Sequence, residues 1–410
     1  MQNLRINGER LWATLMETAE IGKTAKGGIK RLTLTDLDRQ VRDWFKAKAE
    51  EAGCSVHIDD MGNMFAIRPG KNNDLAPVAC GSHLDTQPTG GKYDGILGVL
   101  AGLEAVRTLN DAGYETEAPI MVVNWTNEEG SRFAPPMLSS GVYGGAFSLD
   151  WAYAREDREG TLFKDALEGI GYRGGEPVGE RPMQCFFEVH IEQGPILEAE
   201  GKTIGVVTDG QGQRWYEVTF TGFESHAGTT PMPLRKDALV AASNLVQGVQ
   251  DIARSKAPDG VGTVGLMEVS PNSRNVIPGS AFMTIDFRHP DDAKLASMDR
   301  ELKTMAAEIA KEQGVEVEVK DIWYFPPVHF DEDCIKAVRD ATALCGYSTR
   351  DMVSGAGHDA CYIARKVPTS MIFAPCEKGI SHNEIENMTL GEAESSANVL
   401  LHALLSRANA

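Results

Sequence analysis

Residues 76–113 read APVACGSHLDTQPTGGKYDGILGVLAGLEAVRTLNDAG, and their pattern decides the fold. The opening apolar run, APVACGS, reads as a buried strand, and GILGVLAGLEAVRTLNDAG reads as a helix. Between them lies a polar, glycine-rich stretch that carries His83, Asp85 and Asp94. Three more short apolar runs read as buried strands: PIMVVNW (119–125), QCFFEVHI (184–191) and PTSMIFAP (368–375). Upstream, TDLDRQVRDWFKAKAEEAG (35–53) predicts a helix capped by Thr35 and stopped by Gly53, with Leu37, Val41, Trp44 and Phe45 on one apolar face. Strands alternating with helices predict an α/β fold built on a mostly parallel sheet covered on both faces. In such sheets the working groups collect beyond the carboxyl ends of the strands.

From 213 to 329 the pattern changes. RWYEVTFTG alternates as a half-buried strand, RKDALVAASNLVQGVQDIARS reads as a helix, and GVGTVGLMEV and SAFMTIDFR follow as strands. Leu295, Met298, Leu302, Met305 and Ile309 then mark one face of a second helix, Gly314 ends it, and VEVEVKDIW supplies a last strand. The order βαββαβ predicts an open sandwich inserted into the first domain. The expected division is therefore 1–212 and 330–410 for the first domain, in two parts, and 213–329 for the inserted one, a candidate lid and dimerisation domain. An exposed sheet edge or helix pair in that insert predicts a homodimer.

Composition narrows the partners. The 410 residues carry 40 Lys and Arg against 59 Asp and Glu, a net charge of −19. That excludes nucleic-acid binding through a general positive field and argues against an anionic membrane surface. No apolar run approaches the roughly 18 residues that cross a bilayer. Arg5, Glu9 and Arg10 stand where a signal peptide needs its apolar core, so the expected location is the cytoplasm. Seven scattered cysteines without a C-x-x-C read as buried free thiols. Any metal would have to be held by histidine and carboxylate.

Such groups are present. His83, Asp94, Glu128 with Glu129, His190 and His382 all come at or just after a predicted strand. Packing has no use for several acids at one sheet edge, and they repel unless cations neutralise them. Two divalent cations bridged by one carboxylate satisfy that chemistry, and Asp94 can face one ion with each oxygen. Adjacent Glu128 and Glu129 cannot point the same way in an extended segment, so one binds metal and the other faces the attacking water as general base. Asp85 either accepts the second N–H of the His83 ring or is a solvated turn residue. In SAFMTIDFR, Ala281, Met283, Ile285 and Phe287 alternate with Phe282, Thr284, Asp286 and Arg288, which sets Arg288 on the face away from the helices.

The runs GSHLDTQPTGGKYDGILGVLAGLEAV, NEEGSRF, EVHIEQGP, SHAGTTPMPLRKDA, NVIPG, DFRHP and SGAGHD with SHNE resemble the amidase, hydantoinase/carbamoylase family of dinuclear metallohydrolases. The similarity extends over nearly the whole chain in the same order. QPTGGKYDGILGVLAGLE, with FRHPDD and SGAGHD, looks most like the β-ureidopropionase branch, while N-carbamoyl-L-amino acid hydrolases and allantoate amidohydrolases share the metal motifs. The resemblance implies His83, Asp94 and His190 as ligands of one metal, Asp94, Glu129 and His382 as ligands of the other, and Glu128 as general base. It also implies that Arg288 anchors a substrate carboxylate, that His226 and Asn275 contact substrate and the developing oxyanion, and that Gln193 touches substrate. Gly357, in the glycine-rich loop before His358, would let backbone approach the ligand.

The implied reaction is metal-dependent hydrolysis of the ureido group of a small N-carbamoyl amino acid, N-carbamoyl-β-alanine or an N-carbamoyl-L-amino acid. Its products are the amino acid, carbon dioxide and ammonia. Zinc is the expected metal, and manganese, cobalt and nickel also suit such donors. Competing readings are an allantoate amidohydrolase, a dinuclear aminopeptidase or deacylase, and a metal-dependent binding protein without catalysis.

Overall fold

The strand Val78–His83, buried at every position, lies inside a nine-stranded sheet in a computed structural model that describes residues 4–410. Ile120–Trp125 and Cys185–Ile191 flank it in parallel, and Thr369–Ala374 continues the parallel run beside Cys185–Ile191. All four strands hide every residue, so each reads as a mostly apolar run. The sheet turns antiparallel outside them, through Met64–Arg68 paired with Ser55–Ile58 on one side and Ile204–Gly210 on the other. The fold is therefore mixed α/β with a parallel centre.

The helix Ile96–Asp111 packs on Val78–His83 and is almost wholly buried. The helix Leu390–Ala408, opened by a capping box of Thr389 and Glu392, lies against both Ile96–Asp111 and Thr369–Ala374. The helix Asp36–Glu51 starts after Thr35, whose side chain accepts from the Asp38 N–H. Its buried face differs from the expected one. Val41 and Phe45 are buried, but Trp44 is half-buried and donates through Nε1 to Glu17, while Asp38 and Arg42 are hidden instead. They pair at 2.9 Å, and Arg42 also reaches Gly62 O and Thr126 Oγ1. A charge with three partners can be buried where an indole with one polar edge stays at the rim.

A second unit runs from Asp209 to Val328, and the first resumes at His329. The divisions fall at 208/209 and 328/329, where the sequence reading has 212/213 and 329/330, because Ile204–Gly210 runs almost directly into the next strand. In the second unit Glu316–Phe325, Gly212–Thr221, Ser280–His289 and Val261–Ser270 lie side by side in that order, all antiparallel. The helices Ala238–Ser255 and Asp292–Gln313 cover one face, and their apolar stripes meet Ala281, Met283, Ile285 and Phe287 in a core of this unit's own. Among the described residues no helix is long and apolar enough to cross a membrane, and the seven cysteines are free thiols.

Candidate metal centre

Strand register explains why residues distant in sequence meet in the first unit. His83 ends its strand opposite Trp125, the last residue of Ile120–Trp125, so the chain that leaves Trp125 brings Glu128 and Glu129 to the same edge. His190 pairs with Phe373 one position before Thr369–Ala374 ends, and His382 lies in the loop beyond. Asp94 sits in the turn before helix Ile96–Asp111. Gly95, at φ +70°, follows it because a Cβ there would overlap the His83 ring.

The donor atoms form two triads that share Asp94. Asp94 Oδ1 lies 3.1 Å from His190 Nε2 and 3.6 Å from His83 Nε2. Asp94 Oδ2 lies 3.4 Å from His382 Nε2, which is 3.5 Å from Glu129 Oε2. Ligands about 2.1 Å from a tetrahedral ion stand about 3.4 Å apart, so these separations suit a zinc-sized cation in each triad. His83 Nδ1–H donates to Asp85 O and His190 Nδ1–H to Ile191 O, both at 2.9 Å, which fixes each ring with Nε2 turned toward the cluster. His83 Nε2 is buried without a hydrogen bond. The residues present fit two divalent ions.

The electrostatics point the same way. Burial works against ionising Asp94, yet His190 and His83 beside it hold its carboxyl well below the usual range. Burial pushes Glu128 well up, eased by His83 and reinforced by Asp359, Glu129 and Asp94. Burial and the neighbouring Asp94 push Glu129 up as well. The two glutamates stay raised despite His83, and divalent cations would supply the positive charge that lowers them.

Asp85 acts differently from either sequence expectation. Its carboxylate stands 3.8 Å from His83 Nδ1, and it is its main-chain carbonyl that accepts the ring N–H. Its two oxygens instead accept the N–H groups of Glu128 and Glu129, each at 3.3 Å. It is a buried clamp on the glutamate pair. Gln193, at φ +56°, donates from Nε2 to Asp94 Oδ2 at 2.9 Å and thus stands inside the cluster. Gly357 is half-buried in the loop after Thr349–Ser354, and the neighbouring His358 ring lies 4.5 Å from that of His190. Glu188, His190 and His358 form a third group of donors, but Glu188 is bonded to Ser82 and Ala360 N–H, and His358 to Ser354. That group reads as packing.

Three expected residues belong to the second unit. Ser225–His226 pairs with Val276–Ile277, which sets His226 beside the chain that leaves Asn275. His226 Nδ1 accepts the N–H groups of Gly228 and Thr229, so its Nε2 carries the proton and can donate. Arg288 lies near the far end of Ser280–His289, its Nη2 2.8 Å from Asp286 Oδ2, on the face away from the helices. Sequence reading missed Gln87, whose main chain and amide both donate to Glu129, as well as Ser381 and Glu386. The glycine flanks of the Asp94 turn were the one available signal for a close neighbour.

Parallel strands that deliver imidazoles and carboxylates at ligand spacing to one edge define the class of α/β metal-dependent hydrolases. Residues 79–406 match the family model of peptidase family M20/M25/M40, and the chain belongs to that family. It is 52% identical over 407 residues to the N-carbamoyl-L-amino-acid amidohydrolase of Rhizobium meliloti, covering 99% of this chain and 98% of that one. It is 35% identical over 392 residues to the allantoate amidohydrolase of Bacillus subtilis, 94% of each. A crystal structure of an amidase of the hydantoinase/carbamoylase family from Burkholderia multivorans superposes with a TM-score of 0.96 at 59% identity, over 99% of both chains.

Proposed function

We propose that the protein hydrolyses the ureido group of N-carbamoyl-L-amino acids, with N-carbamoyl-β-alanine as the next candidate, releasing the amino acid, carbon dioxide and ammonia. The observation that carries this is the full-length similarity to the Rhizobium meliloti amidohydrolase, joined to a donor cluster with an adjacent glutamate to spare. Allantoate is the second reading, favoured by the Bacillus subtilis relative.

His83, Asp94 and His190 would hold one divalent ion, and Asp94, Glu129 and His382 the other, with zinc first and manganese, cobalt or nickel as alternatives. When bound, such ions supply Lewis acidity that polarises the urea carbonyl and lowers the pKa of water. Both nitrogens donate into that carbonyl, so it is a poor electrophile without help. Glu128 Oε2, 3.4 Å from His83 Nε2, would take the proton of the attacking water and deliver it to the departing nitrogen. Asp85 holds the Glu128 main chain for that task. Gln193 and Gly357 would contact the substrate, and Arg288 would exchange Asp286 for the substrate carboxylate. His226 Nε2–H and Asn275 would donate where negative charge develops.

A cytoplasmic homodimer is part of the proposal. Arg288 and the His226–Asn275 ladder lie toward opposite ends of the Ser280–His289 strand, roughly 25 Å apart at strand rise. One small ureido acid cannot span that distance, so two copies would share the work. A strict monomer by light scattering at micromolar concentration contradicts this arrangement.

The deciding experiment is ammonia release by the metal-loaded protein from an N-carbamoyl-L-amino acid, N-carbamoyl-β-alanine and allantoate. Turnover of the first is expected to dominate. Cleavage of peptides or N-acyl amino acids without carbamoyl hydrolysis would replace the proposal with a peptidase or deacylase. Inertness of metal-loaded protein on every amide would leave a binding protein.

A further inference from the structure

One buried side chain ties the Asp94 turn to the His382 loop. Glu386 is 4% exposed. Its Oε1 accepts the main-chain N–H of Tyr93 and that of Asp94, each at 3.1 Å, and its Oε2 lies 3.2 Å from Ser381 Oγ. Ser381 Oγ is also 2.8 Å from Asp94 Oδ2, to which it donates. Gly91 leaves the space, since a Cβ there would overlap the Glu386 carboxyl. Glu386 belongs to neither donor triad. It holds the main chain from which Asp94 hangs and the serine that steers Oδ2.

The two triads depend on such support unequally. His83 and His190 stand at the ends of buried strands, each ring fixed by a carbonyl. His382 has no strand beneath it. It lies in an irregular loop at φ +54°, with its side chain 52% exposed. Glu386, four residues on, anchors that loop to the turn that presents the shared carboxylate.

We propose that Glu386 is a positioning residue of the centre, keeping Asp94 Oδ2 and His382 in register so that the ion of the Asp94–Glu129–His382 triad binds. The inference rests on the two-ion reading of the site and is independent of the substrate. It acts through hydrogen bonds, and Ser381 has a single hydroxyl proton. In Glu386→Gln the amide oxygen can still accept both N–H groups, while the amide nitrogen can donate to Ser381 Oγ as that hydroxyl donates to Asp94. In Glu386→Ala the two N–H groups lose their acceptor and the loop loses its tie.

The test is a titration of metal-free protein with Zn2+ against a competing chelator, together with thermal unfolding. Wild type should bind two ions per chain. Glu386→Ala should weaken the second ion about 10–100-fold, the range typical of lost outer partners of a metal site, and the first by much less, since His83 and His190 are held by their strands. Glu386→Gln should bind both within about threefold of wild type, which a requirement for the carboxylate charge would not allow. Ser381→Ala, which removes one link without emptying the carboxyl's place, should weaken the second ion in the same direction and serves if Glu386→Ala does not fold. The proposal is overturned if either alanine variant binds the second ion as wild type does, if both ions weaken equally, or if Glu386→Gln is as weak as Glu386→Ala. Fewer than two ions on wild type would instead overturn the two-ion reading itself.

Discussion

Glu128 and Glu129 are consecutive, yet their carboxylates reach opposite ends of one cluster: Glu128 Oε2 lies 3.4 Å from His83 Nε2, and Glu129 Oε2 lies 3.5 Å from His382 Nε2. The turn at Asn127, φ +63°, and the grip of Asp85 on both N–H groups hold that divergence. Two like residues thus face different tasks. Glu128→Gln should keep both metals and lower kcat by at least about 10²–10⁴-fold, as expected for loss of a general base. Glu129→Gln should lose the ion nearest His382. Elemental analysis beside ammonia release distinguishes the two, and full activity in Glu128→Gln would remove it as the base.

Arg288 is satisfied by Asp286 in the structure, so substrate must compete for it. Arg288→Met should lower kcat/KM for an N-carbamoyl amino acid about 10–100-fold, the value of a hydrogen bond to a charged group. The loss should appear mainly in KM. The corresponding N-carbamoyl amino acid amide, which lacks the carboxylate, should be much less affected, and steady-state kinetics on the pair decides.

Asp38 and Arg42 are buried together, with Leu34 N–H as a further donor to Asp38. Arg42→Met leaves the carboxylate buried without its cation and should destabilise the fold by about 3–5 kcal/mol. Asp38→Leu combined with Arg42→Met should recover much of that loss. Urea unfolding of the single and double variants measures the difference.

Asp59 is buried, and burial pushes its carboxyl up to about 7 although Met61 and Asn63 N–H groups donate to it. The folded state therefore holds this proton more tightly than the unfolded chain. Its contribution to stability is complete below about pH 4 and is lost as pH rises through 7. Relative to Asp59→Asn, wild type should lose stability with a slope of at most about 1.4 kcal/mol per pH unit in that window. The amide's fit beside Asn63 shifts the offset and leaves the slope. Urea unfolding at pH 4 to 8 reads it, and parallel curves contradict it.

The parts of this protein that were legible in its sequence are those where one residue type performs one local task. Buried parallel strands show as mostly apolar runs, and the alternation of SAFMTIDFR matches the alternating burial of Ser280–His289. The histidines and acids at strand ends stand out because packing has no use for them. What stayed hidden are contacts to the main chain. Asp85 holding two N–H groups and Glu386 holding Tyr93 and Asp94 from 293 and 292 residues away leave no spacing rule, since every residue but proline offers the same N–H. Asp38 and Arg42 look like a solvated (i, i+4) surface pair, and only the positions of Gly62 and Thr126 bury them.

The shared carboxylate is the feature on which both triads depend, and counting metals tests it most directly. Elemental analysis of wild type and Asp94→Ala, each loaded with zinc and freed of excess, should give two ions per chain and essentially none. A wild-type protein saturating at one ion, or an Asp94→Ala protein that still carries two, would contradict a centre bridged by Asp94.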